Sequence, residues 1–169
     1  IKLAKNHSNK ILSIPAIQPV SNQDLSRVSS GFGYRIDPHY QIRKMHAGID
    51  FAAPRGTPVY ATGNGQVIQA IKRSRGGYGK NIIIDHGFNF KTQYAHLNRL
   101  VVQEGQSVKR GQLIGYVGST GKSTSPHLHY EVHLNNKKVN PIDYFYDDLT
   151  IEEYDQMRKI CTKDTRPLD

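Results

Sequence analysis

Between Ser29 and Pro141 the apolar residues come in short runs, four to eight residues long, closed by glycine, asparagine or proline. Thr57–Ala61, Gly65–Ile71, Asn81–Asp85, Thr92–Leu97, Gln112–Val117 and His127–Leu134 are such runs, rich in Val, Ile and Tyr. That length and that content of branched and aromatic side chains predict strands. Gly63-Asn64-Gly65 and Asn135-Asn136 supply turn residues between them. The last run alternates strictly. In a strand, Leu128, Tyr130, Val132 and Leu134 face the core, while His127, His129, Glu131 and His133 share the opposite face. The pattern therefore predicts an all-β fold, a small antiparallel sandwich or barrel-like domain with peripheral short helices and N- and C-terminal extensions.

The flanks have a different texture. Residues 1–28 are dominated by Lys, Asn, Ser and Gln, and Pro15 and Pro19 break any long helix, so this part reads as an extension or tether. The β-rich domain spans residues 29–143, and residues 144–169 read as a helix and tail. Thr150 and Glu153 form a capping box. After it, Ile151, Tyr154, Met157 and Ile160/Cys161 recur at helical spacing, which predicts one apolar stripe laid on the sheet. From Thr162 onward a frayed tail is expected. A weak echo links Thr57–Ile71 with Glu104–Gly118, and both suit hairpins. The second also resembles half of a biotinyl or lipoyl carrier domain. Carriers need an attachment lysine at a hairpin tip, usually beside methionine, and Gly118-Ser119-Thr120-Gly121-Lys122 lacks that pattern. The echo is shared architecture.

Composition narrows the partners. A chain of 169 residues suits one compact domain with tails, and 37% apolar content predicts a modest core. The net charge of +9 favours a polyanionic partner. Its cations, however, sit in short pairs at turns (Arg43-Lys44, Lys72-Arg73, Lys109-Arg110, Lys137-Lys138), without the interleaved aromatics of a single-strand platform, so no nucleic acid is expected. A phosphate loop around Gly121-Lys122-Ser123 fails because Tyr116 stands where the first glycine belongs. Cys161 is the sole cysteine, which excludes an intrachain disulfide and a thiolate metal cluster. No run approaches the ~18 apolar residues of a membrane span. Because the chain starts at Ile1 rather than Met, a leader or membrane tether upstream stays open.

Histidine placement carries the chemistry. His127 and His129 share one face of a strand, and His46-Ala47-Gly48-Ile49-Asp50 puts a His and an Asp on one face of an extended segment. Together they offer enough N and O ligands for zinc, which at a catalytic site takes three protein ligands and keeps one position open. Spacing alone does not say which of His127 and His129 binds the metal. His96, in Tyr94-Ala95-His96-Leu97, ends a strand and gains meaning only if the other two elements meet it. Hydrolysis of a glycosidic bond normally calls for paired carboxylates, and Asp50 and Glu131 are poor candidates while one of them binds metal.

Ser30–Asp50 (SGFGYRIDPHYQIRKMHAGID), His86-Gly87, Tyr94–Leu97 (YAHL), Gly118–Glu131 (GSTGKSTSPHLHYE) and Val139-Asn140-Pro141 together resemble the lysostaphin-type, LytM-like zinc metallopeptidases. The resemblance covers residues 30 to about 143, and it is the order of the motifs that makes it specific. It implies one Zn2+ per chain, held by His46, Asp50 and His129, with His127 and His96 as catalytic residues. It also implies an extracytoplasmic endopeptidase, periplasmic or cell-wall facing, that cuts peptide bonds in peptidoglycan cross-links or bridges. Some relatives keep the fold and lose ligands, so a non-catalytic cell-wall binding or regulatory module is the alternative. Here all five positions are filled. Ser125 replaces a frequent Gly before the Pro of P-H-L-H, and Asn135-Asn136 replaces a more usual Asn-Gly turn; neither is a ligand position. His39, His86 and His133 read as turn or strand-face residues, and Tyr40 as a packed turn tyrosine near the first ligand.

Overall fold

The computed structural model describes residues 2–22, 26–36, 41–162 and 168, with only the backbone of residues 2–7. His39 and Tyr40 lie outside the described residues. In chain order the elements are α1 (Lys2–Ser13), β1 (Val28–Ser30), β2 (Gly33–Ile36), β3 (Arg43–His46), β4 (Ile49–Ala52), β5 (Pro58–Tyr60), β6 (Gly65–Ile71), β7 (Asn81–Gly87), β8 (Phe90–Ala95) and β9 (Leu97–Leu100). Then come β10 (Ser107–Val108), β11 (Leu113–Val117), β12 (His127–Leu134), β13 (Lys137–Val139), a 3₁₀ turn (Pro141–Tyr144) and α2 (Ile151–Thr162). Each of the six expected strands is present, with its ends within two residues of those read from the pattern.

The main sheet is antiparallel, in the order β1-β4-β12-β8-β7-β6-β10, with β13 paired to β12 at its edge. A second sheet, β5-β11-β9, shares one apolar core with it. That core joins Ile82, Ile84, Leu128 and Phe51 from the first sheet to Val59, Leu97, Ile114 and Val117 from the second. Strand β12 lies near the middle of the main sheet, paired along both edges, and its first six residues are buried whichever face they point to. Tyr130 faces the core beside Tyr94, with ring centroids 5.3 Å apart. Their two buried hydroxyls are satisfied by Thr62 Oγ1, at 3.0 and 2.9 Å. This satisfaction matters because a buried hydroxyl left without a partner is destabilising by about 1–3 kcal/mol.

Three local features follow directly from residue type. Asn135 and Asn136 both adopt positive φ, 52° and 59°, and close the β12–β13 hairpin as a two-residue turn of the primed class requires. The capping box at α2 forms reciprocally: Thr150 N donates to Glu153 Oε2 (2.8 Å) and Glu153 N donates to Thr150 Oγ1 (3.2 Å). Met157 is the fully buried member of the helix stripe, with Tyr154, Ile160 and Cys161 packed against the core. Ile151 departs from expectation. At the first position of the helix it is 79% exposed.

The N-terminal segment holds a three-turn helix, and Pro15 stands just past its end. After the helix the chain lies along the domain. Ala16 and Val20 are buried, Pro19 O accepts from Tyr60 N (2.8 Å), and Arg110 donates to the carbonyls of Ile11 and Ile14.

Candidate active site

Strand register assembles the site. In the β4–β12 ladder Asp50 stands opposite His129, and on its other side His129 stands opposite Ala95 of β8. Two positions earlier, His127 stands opposite Ala52. His46 ends β3 and is carried back over the sheet by the short connection into β4. Gly48 makes that return possible, since a Cβ there would lie 2.2 Å from the carbonyl oxygen of Tyr130. His96 is the residue at which the chain leaves the main sheet and enters the second one, and it takes φ +60° to do so. A non-glycine residue in that region is strained, on the order of 1–3 kcal/mol, and the pivot brings its ring centroid to 4.7 Å from that of His127.

Three donor atoms form a near-equilateral triangle. His129 Nδ1 and Asp50 Oδ1 are 2.8 Å apart, His46 Nε2 and Asp50 Oδ1 are 3.0 Å apart, and the two nitrogens are 3.1 Å apart. All three residues are buried. A tetrahedral zinc with bonds of about 2.0–2.1 Å keeps its donors roughly 3.3 Å apart, so a few tenths of an ångström of outward relaxation admits the ion. The outer edges of the rings agree with this. His46 Nδ1 donates to Gly31 O (2.6 Å) and His129 Nε2 donates to Glu131 Oε1 (3.0 Å), so the inner nitrogens can give lone pairs to an ion that displaces the protons they share with Asp50. Asp50 Oδ2 has no hydrogen-bond partner among the described residues, although Arg35 Nη1 lies 3.7 Å away. The residues present fit a divalent cation.

The electrostatics point the same way. Burial would raise the Asp50 pKa, but hydrogen bonds from His129 and His46 hold it well below the ordinary carboxylate range. Burial would lower the His129 pKa, yet its bonds to Asp50 and Glu131 hold it at about 10. The carboxylates thus favour positive charge at the inner edge of the His129 ring, where a cation would sit.

His127, like His46 and unlike His129, turns Nδ1 outward to a backbone carbonyl. His127 Nδ1 donates to Ser125 O (2.9 Å), so Nε2 carries the lone pair; it is buried, without a hydrogen-bond partner among the described residues, 4.0 Å from Asp50 Oδ1. His96 Nδ1 donates to Thr120 O (2.7 Å). One loop, between β11 and β12, therefore sets both tautomers through its carbonyls.

All five residues expected from the sequence meet in one place. A cleft of about 220 Å³ opens beside them, lined on its walls by Arg35, Lys44, Met45, Tyr78 and Lys122. None of these five is read from the sequence as a site residue; Lys44 is named only in a basic pair at a turn, and Lys122 only in the rejected carrier and phosphate-loop readings. Arg35 and Lys44 reach the cleft through the β2–β3 hairpin, whose two short strands are largely exposed, and Tyr78 sits in a glycine-rich loop. His133 lies on the strand face, as read, and its Nε2 donates to Glu131 Oε2 (2.7 Å). His86, read as a turn or strand-face residue, lies in strand β7. It is buried, with Nδ1 donating to Asn64 O (2.8 Å) and Nε2 2.7 Å from Thr92 Oγ1.

The pattern of peptidase family M23 matches residues 44–141. The chain is 48% identical over 117 residues to the DD-carboxypeptidase/endopeptidase Mpg of Neisseria meningitidis serogroup B, covering 69% of this chain and 26% of that protein. It is 44% identical to the peptidoglycan DD-endopeptidase ShyA of Vibrio cholerae, over 68% of this chain and 26% of that protein. The chain thus spans about a quarter of the length of these curated relatives. Among solved structures, a zinc-containing peptidase from Vibrio cholerae superposes with a TM-score of 0.66 at 42% identity, covering 73% of this chain and 37% of that one. The catalytic domain of lysostaphin from Staphylococcus simulans gives 0.64 at 33% identity, covering 75% of this chain and 98% of that domain. The β-sheet fold, the buried His/Asp/His triangle and the matched pattern agree, and the chain belongs to peptidase family M23.

Proposed function

We propose that this chain is a zinc-dependent endopeptidase that hydrolyses peptide bonds in peptidoglycan cross-links or bridges. The observation that carries the reading is the triangle of His46, Asp50 and His129 with the lone pair of His127 turned toward it. The names of the M23 relatives, DD-endopeptidases and DD-carboxypeptidase/endopeptidases, supply the substrate class. In this reading His46, Asp50 and His129 are the ligands, residues 29–143 are the catalytic unit, and residues 1–28 and 144–169 flank it.

Bound there, zinc would supply a Lewis acid that lowers the pKa of a coordinated water to about 7 and polarises a carbonyl. The protein does the rest. His127 Nε2, fixed by its bond to Ser125 O, accepts the proton of the attacking water. The same imidazole returns that proton to the leaving amine, and His96, its ring beside that of His127, stabilises the developing oxyanion when protonated. Arg35, Lys44 and Lys122 give the cleft a cationic wall, which suits peptides bearing free carboxylates. Among the described residues the one acid lining it, Glu131, is already bonded to four protein donors.

Acting on peptidoglycan, the chain would work outside the cytoplasm, in the periplasm or facing the cell wall. Among the described residues no helix is long and apolar enough to cross a membrane. Incubation of zinc-loaded protein with isolated sacculi should release new amino termini without new reducing sugar ends. Reducing ends without amines would make the chain a glycosidase. No release at all by metal-loaded protein would make it a binding or regulatory module.

A further inference from the structure

Four donors converge on one buried carboxylate beside the triangle. Glu131 is fully buried. Its Oε1 accepts from His129 Nε2 (3.0 Å), from the Tyr78 hydroxyl (2.7 Å) and from Lys138 Nζ (3.1 Å), while Oε2 accepts from His133 Nε2 (2.7 Å). Lys138 also donates to the Tyr78 hydroxyl (2.8 Å), so the supporting groups are themselves tied together. They come from separate parts of the chain: β12 itself, the loop between β6 and β7, and β13. Stability alone does not call for such a cluster. A buried ion pair is often no better than a well-packed apolar side chain of similar volume, because desolvation offsets the attraction.

What the cluster does achieve is orientation. An imidazole has two nitrogens, and the one holding the proton cannot offer a lone pair. By accepting from Nε2–H, Glu131 leaves the lone pair on Nδ1 and turns it toward Asp50 and His46. His127, two positions along the same strand face, has a neutral backbone carbonyl as its outer partner instead. A carboxylate behind the ring increases its basicity as a ligand.

We propose that Glu131 is a positioning residue for His129, fixing its tautomer and ring orientation for metal binding, and that Lys138, Tyr78 and His133 hold Glu131 in place. The proposal rests on the reading of His129 as a metal ligand.

The test is the zinc affinity of metal-free protein, measured by competition with a chromophoric chelator, for wild type, Glu131→Ala, Glu131→Gln and Lys138→Met. Circular dichroism and thermal unfolding of the metal-free proteins establish which variants are folded. Glu131→Ala should bind zinc on the order of 10–100-fold more weakly. Glu131→Gln, which keeps an acceptor but loses the charge, should fall between it and wild type. Lys138→Met, altered at a partly exposed position, should show a smaller loss in the same direction. If the alanine variant does not fold, the other two carry the test. Folded Gln and Met variants that bind zinc as tightly as wild type overturn the proposal, and so does a lowered thermal midpoint with unchanged affinity, which would make Glu131 a structural residue only. A wild-type protein that binds no zinc overturns the metal reading itself.

Discussion

Neighbouring histidines in this site differ by which nitrogen is exposed to the centre and by what stands behind it. His129 offers Nδ1 at 2.8 Å from Asp50, whereas His127 offers Nε2 at 4.0 Å from the same oxygen. The first pair of atoms is close enough to share one ion after a small outward relaxation; the second is too far apart for a direct hydrogen bond. His129→Ala should therefore lose both zinc and turnover. His127→Ala and His96→Ala should retain most of the zinc while turnover falls by about 10²–10⁴-fold, the usual worth of a general acid or base. Elemental analysis alongside kcat on a cross-linked peptide distinguishes them, and zinc lost from His127→Ala but kept in His129→Ala would reverse the assignment. At this same scale Gly48 has a geometric reason to be glycine, because the backbone of β12 occupies the place of its Cβ.

Elements act here as supports that reach the site at one remove. Helix α2 packs on β1, with Cys161 so close to Gly31 that a Cβ there would lie 2.5 Å from the cysteine Cβ, and the carbonyl of Gly31 orients His46. Leu168 O accepts from Thr124 N (2.8 Å), in the loop whose carbonyls set the tautomers of His96 and His127. The helix in turn depends on its cap. Thr150→Ala removes one side of the reciprocal pair with Glu153 and should be destabilising by about 1 kcal/mol. A shift of that size in the urea midpoint is the expected result, with zinc content unchanged because no ligand is touched.

For the whole molecule, pH sensitivity is built in through His86. Burial pushes its pKa down to about 4, from an ordinary value near 6.5, despite the carbonyl of Asn64 that accepts from Nδ1. Because the folded value is the lower one, the unfolded chain binds the extra proton between them. Stability is therefore full above about pH 6.5 and is lost as pH falls toward 4, by about 3 kcal/mol for this one group. Denaturant midpoints of metal-free wild type should drop through that window, and His86→Gln should flatten the slope. Equal slopes in the two proteins would remove His86 as the cause. His86 also touches the buried hydroxyl chain through Thr92, which reaches Tyr94, Thr62 and Tyr130 in the core. Its protonation would therefore be felt at the packing of β8 against β12.

Much of this was legible in one dimension because strand periodicity is local. Alternation in His127–Leu134 assigns each side chain to a face without knowledge of any other strand, and the even spacing of His46 and Asp50 does the same for their segment. Capping and turn chemistry are local too, which is why the box at Thr150 and the turn at Asn135-Asn136 appear where residue type places them. The five residues that meet beside the cleft were nameable because their motifs, in order, carry the family resemblance. Other features depend on pairing across long separations. Register sets Asp50 opposite His129, and the hairpin of β2 and β3 brings Arg35 and Lys44 to the cleft. Burial of His86 depends on which strands flank it, and a glycine-rich loop with no period of its own carries Tyr78 to Glu131. Local residue chemistry thus determined the strands, the caps and the shared face of His127, His129 and Glu131. Only the tertiary pairing decided which nitrogen of each ring faces the centre, because that depends on the carbonyl or carboxylate that another part of the chain places behind it.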